Sequence, residues 1–274
     1  MARRPQQTHR GRVERIERLS PHMIRIVLGG EGLAEFTAGT FTDHYIKIHF
    51  PRPGVAVPQP FDIGRIRAEL PREDWPTTRT YTVRQWDAEA SELTVDFVHH
   101  GDEGVAGPWA ASAQPGDEIH FSGPGGGYAP SPDADWYLLA GDESALPAIA
   151  SCLERLPEGA TAHVFVEVAG PEEEQKLLSP ADARITWLHR GADRVGNALV
   201  RAVSGLDFPA GSPEAFVHGE AGFVKELRRL LRVEHGIPLD QLSISGYWRT
   251  GHDEDGWQSS KREWNRSVEE EQGQ

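Results

Sequence analysis

The chain has 274 residues, 38% of them hydrophobic, and carries 42 Asp and Glu against 28 Lys and Arg, for a formal net charge of −14. That length holds one large domain or two of ordinary size, and the acidic surplus argues against a general nucleic-acid binder and against docking on an anionic membrane surface. No apolar run approaches the roughly 18 residues of a membrane span, the N-terminus lacks a secretory apolar region, and the single cysteine, Cys152, makes no internal disulfide. A cytoplasmic protein with Cys152 in its core is expected.

Residues 1–9 read as a loose leader. The first 25 residues hold seven arginines, at 3, 4, 10, 12, 15, 18 and 25, against Glu14 and Glu17, which reads as a solvated strand face. Residues 10–28 alternate as two antiparallel strands broken at Ser20-Pro21. Residues 43–50 predict a third, ended by the proline-rich loop 51–60. Residues 79–85 and 93–99 predict further strands around a turn at 87–91. The stretch Gly104-Val105-Ala106-Gly107-Pro108-Trp109 starts a short helix, with Pro108 suited to its first turn, and residues 117–122 close an antiparallel barrel. After Gly125-Gly126-Gly127 strands and helices alternate, which places a domain boundary near 128–135. Strands are predicted over 136–140, 162–168, 184–188, 216–218 and 242–245, and helices over 144–156, 198–204, 223–235 and 261–271. This is an open α/β sheet with ligands expected at the strand C-termini.

Within this order, Arg79-Thr80-Tyr81-Thr82-Val83-Arg84 stands out. Alternate side chains of a strand share a face, so Arg79 and Tyr81 point the same way: a guanidinium for a phosphate and a flat ring for an isoalloxazine. The same residues also make an ordinary amphipathic strand. The helix start near Ala106, rich in small residues, offers backbone N–H groups to a pyrophosphate, or simply plugs a barrel end. His99 and His100 face opposite ways on a strand and lack ligand-spaced neighbours, so metal binding is rejected there. No G-x-G-x-x-G follows the first strand of the second half. Gly141-Asp142-Glu143-Ser144-Ala145-Leu146-Pro147 stands in its place, either a ligand loop or a plain strand-to-helix turn.

Six blocks occur in order: Asp43-His44-Tyr45-Ile46-Lys47, Arg79-Thr80-Tyr81-Thr82, Asp96-Phe97-Val98-His99-His100-Gly101, the run from Trp136 to Pro147, His218-Gly219-Glu220-Ala221 and Gly246-Tyr247-Trp248-Arg249. From about Arg10 to the C-terminal tail the chain resembles the siderophore-interacting protein family of the ferredoxin-reductase superfamily. The resemblance implies an α+β two-domain protein: an antiparallel FAD-binding β-barrel over 10–130 and a Rossmann-like α/β NAD(P)H-binding domain with a C-terminal helix over 131–274.

It also implies roles. Arg79, Tyr81 and Thr82 hold the flavin phosphate, ring and N5 edge, with Val83 and Arg84 continuing the contact. Asp96, Val98, His99 and His100 lie along the ribityl, pyrophosphate and adenine, Ala106, Gly107 and Trp109 close the phosphate end, and Trp248 covers the isoalloxazine. Gly141, Asp142, Glu143, Ser144 and Glu220 serve the NAD(P)H side, and Lys47 and Arg249 the anionic substrate. A third basic residue common in the family is replaced by Gly123-Pro124-Gly125-Gly126-Gly127, which weakens the expectation of a trianionic substrate. No side chain is expected to be catalytic. The implied activity is reduction of ferric siderophore by NAD(P)H through FAD in a monomer, with ferredoxin as an alternative donor. A general flavin or ferredoxin reductase and a non-catalytic carrier of ferric chelates are the rival readings.

Overall fold

The first strand, β1 (Thr8–Ser20), begins inside the segment expected to be a leader. Thr8 and His9 pair with Ser122 and Phe121, and the buried His9 ring packs against Phe36 and Phe121, so an apolar contact and a ladder order residues that look merely polar. The computed structural model describes residues 7–272, and residues 1–6 of the expected leader, with Arg3 and Arg4, lie outside the described residues. The chain divides into two compact units, the first ending at Gly127 and the second beginning at Tyr128.

In the first unit β1 pairs with β2 (Met23–Gly29), and β3 (Tyr45–Phe50) follows. The proline-rich loop then leads into a helix that the sequence reading passed over, α1 (Ile63–Glu69). Asp62 caps it by accepting from the Arg65 N–H at 2.6 Å, and Ile63 and Ile66, one turn apart, bury with Phe61. Two strands, β4 (Thr77–Thr82) and β5 (Gln85–Asp87), replace the single one expected over 79–85. Then come β6 (Glu92–Val98), α2 (Ala106–Ser112) and β7 (Glu118–Gly125).

The sheet order is β4-β3-β7-β1-β2-β6-β5, so its two edges are consecutive in sequence. Between them the Val83 N–H donates to the His44 carbonyl at 2.7 Å and the Arg84 N–H to the Thr94 carbonyl at 2.9 Å. One two-residue corner thus stitches the β3 side to β6, Val83 turns into the core, and the sheet curls into a barrel whose edge strands meet at this corner. The basic opening stretch is answered locally: Arg15 forks onto Glu92 at 2.6 Å, Arg25 onto Asp96 at 2.7 and 2.8 Å, and Arg10 lies 3.4 Å from Glu118.

The second unit is a parallel sheet. β8 (Trp136–Gly141) is buried along its whole length, as a strand covered on both faces must be. It is followed by α3 (Leu146–Leu153), β9 (Thr161–Val168), β10 (Asp182–His189), α4 (Asn197–Ser204), β11 (Pro213–Glu220), α5 (Ala221–Arg229), β12 (Leu242–Trp248) and α6 (Glu254–Gln272). The order is β10-β9-β8-β11-β12, all parallel. The chain runs outward from β8 and then returns to its other side, so the crevice expected at such a reversal opens at the C-terminal ends of β8 and β11.

Three boundaries differ from expectation. α3 starts after Ser144 because Asp142 locks the preceding residues in a turn. Tyr247 and Trp248 belong to β12 rather than following it. α6 begins well before Lys261, anchored by the fully buried Trp257. Gly246 makes room for that indole, since a Cβ there would stand 3.0 Å from both Trp257 Cζ2 and Ala221 Cβ. Cys152 is buried in α3, as expected. Among the described residues no helix is long and apolar enough to cross a membrane.

Candidate functional site

On the barrel, Arg79 and Tyr81 stand opposite Ile48 and Ile46 of β3 and so share a face of β4. Tyr81 is half-buried and its ring lies against Phe97, 4.4 Å between centroids. Phe97 also meets Trp109 of α2 at 5.6 Å, and Trp109 meets Phe50 at 5.9 Å. Arg79 Nη1 donates to the Thr78 carbonyl at 2.8 Å, which fixes one arm of the guanidinium. Thr82 is buried, and Val83 and Arg84 form the corner just described.

The end of β6 arrives at the same place. The His99 N–H donates to the His22 carbonyl at 2.9 Å, and the His100 ring lies 5.6 Å from that of His22. Gly107 sits on this strand end: a Cβ there would stand 3.2 Å from the Val98 carbonyl oxygen and 3.5 Å from His99 Cα. Helix α2 opens at Ala106 after Val105 without a side-chain cap, and Pro108 has no N–H to satisfy. Residues distant in sequence, on β4, the end of β6 and the start of α2, therefore converge. A half-buried guanidinium, an aromatic ring with a fixed backing and an uncapped helix start are the donor set a flavin dinucleotide asks for.

Asp96 sits differently. Its carboxylate is buried and held by both arms of Arg25, so its side chain braces β2 against β6, and only its backbone is left for a ligand.

In the second unit Asp142 is the knot. Its fully buried carboxylate accepts from the Ser144 N–H at 2.9 Å, the Ser144 hydroxyl at 2.5 Å, the Glu220 N–H at 2.8 Å and the Trp248 indole N–H at 2.8 Å. One side chain ties the ends of β8, β11 and β12. Burial, with the Glu143 charge beside it, pushes Asp142 up to about 6 against the pull of those donors. Glu143 receives Arg190 at 2.7 and 3.2 Å, and Arg190 also reaches Glu167 at 3.4 Å. Glu220 caps α5 through the Gly222 N–H at 2.6 Å and accepts from the Thr250 N–H at 3.1 Å. Gly141 has no room for a side chain, since a Cβ would stand 2.6 Å from Ala145 Cβ and from the His218 carbonyl oxygen.

Gly141, Asp142, Glu143, Ser144 and Glu220 are thus brought together at the crevice. Their carboxylates are spent on internal bonds, which leaves the loop backbone as the surface a ligand would meet. Arg190 was not singled out from the sequence, because its carboxylate partners are remote in the chain. Lys47 is half-buried on β3 opposite Thr80 and Ser122, and Arg249 is half-buried just past β12.

Two family descriptions match almost end to end: the siderophore-interacting FAD-binding domain over residues 12–128 and the siderophore-interacting protein over 134–251. The chain belongs to the siderophore-interacting protein family. It is 36% identical over 245 residues to the ferric vibriobactin reductase of Vibrio cholerae serotype O1, covering 89% of this chain and 90% of that protein. The NADPH-dependent ferric-chelate reductase of Escherichia coli is 34% identical over 241 residues, covering 86% and 91%. A siderophore utilization protein from T. fusca, known from its crystal structure, is 38% identical with a TM-score of 0.79, covering 92% of this chain and 96% of that one. The first of the two family matches, over residues 12–128, spans nearly the whole of the unit that carries the converging residues of β4, β6 and α2.

Proposed function

We propose that this siderophore-interacting protein is a monomeric cytoplasmic reductase of ferric siderophores that takes electrons from NAD(P)H through FAD and releases Fe(II). The observation that carries the reading is the face shared by Arg79 and Tyr81, braced on Phe97, beside the uncapped start of α2. The bound flavin supplies the exchange between a hydride donor and a one-electron acceptor, so no side chain is asked to act as acid, base or nucleophile. What the chain does is bind and orient. Arg79 pairs with a flavin phosphate, Tyr81 backs the ring, Thr82 meets its N5 edge, and Val83 and Arg84 hold the corner in register. Val98, His99, His100, Ala106, Gly107 and Trp109 line the remainder, with Asp96 bracing from behind.

For the donor, the name of the Escherichia coli relative favours NADPH, and the loop at Gly141 to Ser144, pinned by Asp142 and Glu220, offers a preformed backbone at the crevice. Lys47 and Arg249 supply local positive charge to an anionic chelate that the overall charge of −14 would repel.

The test is anaerobic stopped-flow. Photoreduced holoprotein is expected to reoxidise far faster on addition of a ferric siderophore than in buffer, and oxidised holoprotein to be bleached by NADPH. Reduction by a ferredoxin but by neither nicotinamide would overturn the donor assignment, and equal reoxidation with and without the chelate would overturn the substrate. Lys47→Met or Arg249→Met should raise KM for the ferric siderophore about fivefold, the scale of an exposed ion pair. The effect should shrink as salt rises past about 0.1 M, where screening sets in over about 10 Å. Reduction of neutral dyes should be unchanged, and a parallel loss with dyes would place the damage at the flavin.

A further inference from the structure

The outer face of β3, β4 and β7 is covered over only part of its length. Toward Phe50 it is closed: His49 bonds Thr78 Oγ1 at 3.2 Å and Ser122 Oγ at 3.1 Å, and Phe61, carried beside α1, stacks on His120 at 4.2 Å. Burial lowers His49 to about 4, so it sits there as a neutral core residue. Toward the other end the same face carries Tyr45, Lys47 and Thr80, with Tyr45 37% exposed and Thr80 exposed.

Tyr45 rests on a glycine run. Its ring lies across Gly125, where a Cβ would stand 2.3 Å from Cζ and 2.5 Å from the hydroxyl oxygen. The glycine run is itself fixed. His44 Nδ1 donates to the Gly125 carbonyl at 3.1 Å, the Gly127 N–H donates to Asp43 Oδ1 at 2.8 Å, and a Cβ at Gly126 would come within 2.8 Å of His44 Nδ1. No side chain other than hydrogen fits at 125 while the ring keeps this position. The ladder also pairs Tyr45 with Thr82, the residue assigned to the flavin N5 edge, and Lys47 with Thr80. The result is a flat, exposed aromatic surface with a cation two residues along the same strand face, set one strand away from Thr82.

We infer that Tyr45, held over Gly125, is a specificity-determining residue that stacks on the aryl groups of a siderophore's iron-binding arms while Lys47 meets their negative charge. The inference rests on the reductase reading and adds to it the feature by which the site prefers aryl ligands to aliphatic ones. His44, Asp43 and Gly125 are positioning residues for the ring. Stacking on a fixed ring is worth about two- to tenfold in affinity.

Gallium(III) complexes, which bind like their ferric counterparts but are not reduced, separate recognition from turnover. Holoprotein is titrated with Ga(III) tris(benzohydroxamate) and Ga(III) tris(acetohydroxamate), two neutral complexes with the same donor atoms that differ in phenyl against methyl. Wild-type protein should bind the phenyl complex more tightly. Tyr45→Ala should lose about two- to tenfold for that complex and nothing for the methyl one, Tyr45→Phe should keep the preference, and Gly125→Ala should reproduce Tyr45→Ala by pushing the ring aside. Lys47→Met should weaken trianionic Ga(III) tris(catecholate) more than either hydroxamate. No phenyl preference in wild type, or an equal loss for both hydroxamates in Tyr45→Ala, would overturn the inference while leaving reduction of the ferric complexes intact. A retained preference in a protein that reduces no ferric chelate would instead sink the reductase reading and leave the aryl platform standing.

Discussion

Arg79→Ala is expected to strip most of the flavin from the purified protein. Arg79 occupies the strand face that it shares with Tyr81, and a bond from its guanidinium to the Thr78 carbonyl helps to orient the side chain. A charge-assisted fork onto a phosphate is worth about 1.5 to 3 kcal/mol, which is roughly a ten- to hundredfold loss of FAD affinity when it is removed. Flavin absorbance per protein after gel filtration, and equilibrium dialysis of FAD, read the loss directly. Arg79→Lys should fall between wild type and alanine, because it keeps the charge and loses the fork. Tyr81→Ala is a poorer probe, since it also removes the ring packed on Phe97 and disturbs the barrel core. Full flavin occupancy in Arg79→Ala would show that this arginine does not hold the cofactor.

That Arg79 and Tyr81 would share a face was legible, because strand alternation is a local rule. The corner two residues later was not. Val83 and Arg84 have the composition of a continuing strand, and only their bonds to His44 and Thr94, remote in the chain, turn them from one sheet edge to the other. Asp96 shows the same limit from the side of function. Its neighbours Val98 and His99 do meet α2, but its carboxylate answers Arg25, 71 residues earlier, and no spacing along the chain announces that partner. Helix α1 did leave a trace, Asp62 as a cap with Ile63 and Ile66 one turn apart, but at seven residues it is too short for periodicity to stand out from the prolines before it. The block Gly141 to Ser144 with Glu220 was readable as a set. That the Asp142 carboxylate accepts from the Glu220 backbone was not, since that pairing is made by sheet order rather than by sequence distance.

The largest stability effect is expected at Asp142. Truncation in Asp142→Ala leaves the buried Glu220 N–H and the part-buried Ser144 N–H and Trp248 indole N–H without their acceptor, at about 1 to 3 kcal/mol for a buried orphaned group and less where water can reach. Against this, the variant no longer carries a charge that burial disfavours. The balance depends on pH, and its sign is fixed by the direction of the shift. Asp142 is raised from 3.8 to about 6 in the folded chain, so near pH 5 the native state keeps a proton that the unfolded chain has released, and the stability from this group fades as pH climbs through about 6. Wild-type protein should therefore lose about 1 kcal/mol between about pH 5 and pH 7 that the alanine variant does not lose. The gap between them is expected on the order of 3 to 5 kcal/mol near pH 5, and narrower by about 1 at pH 7. Trp248→Phe, which keeps a ring and removes a single donor, should cost only about 1 kcal/mol. Urea unfolding followed by tryptophan emission at the two pH values, with hydrogen exchange at the Ser144 and Glu220 amides, reads both the magnitude and the slope. A gap that widens with pH would mean that the ionised carboxylate is the form the fold favours, and the four donors around it would then outweigh its burial.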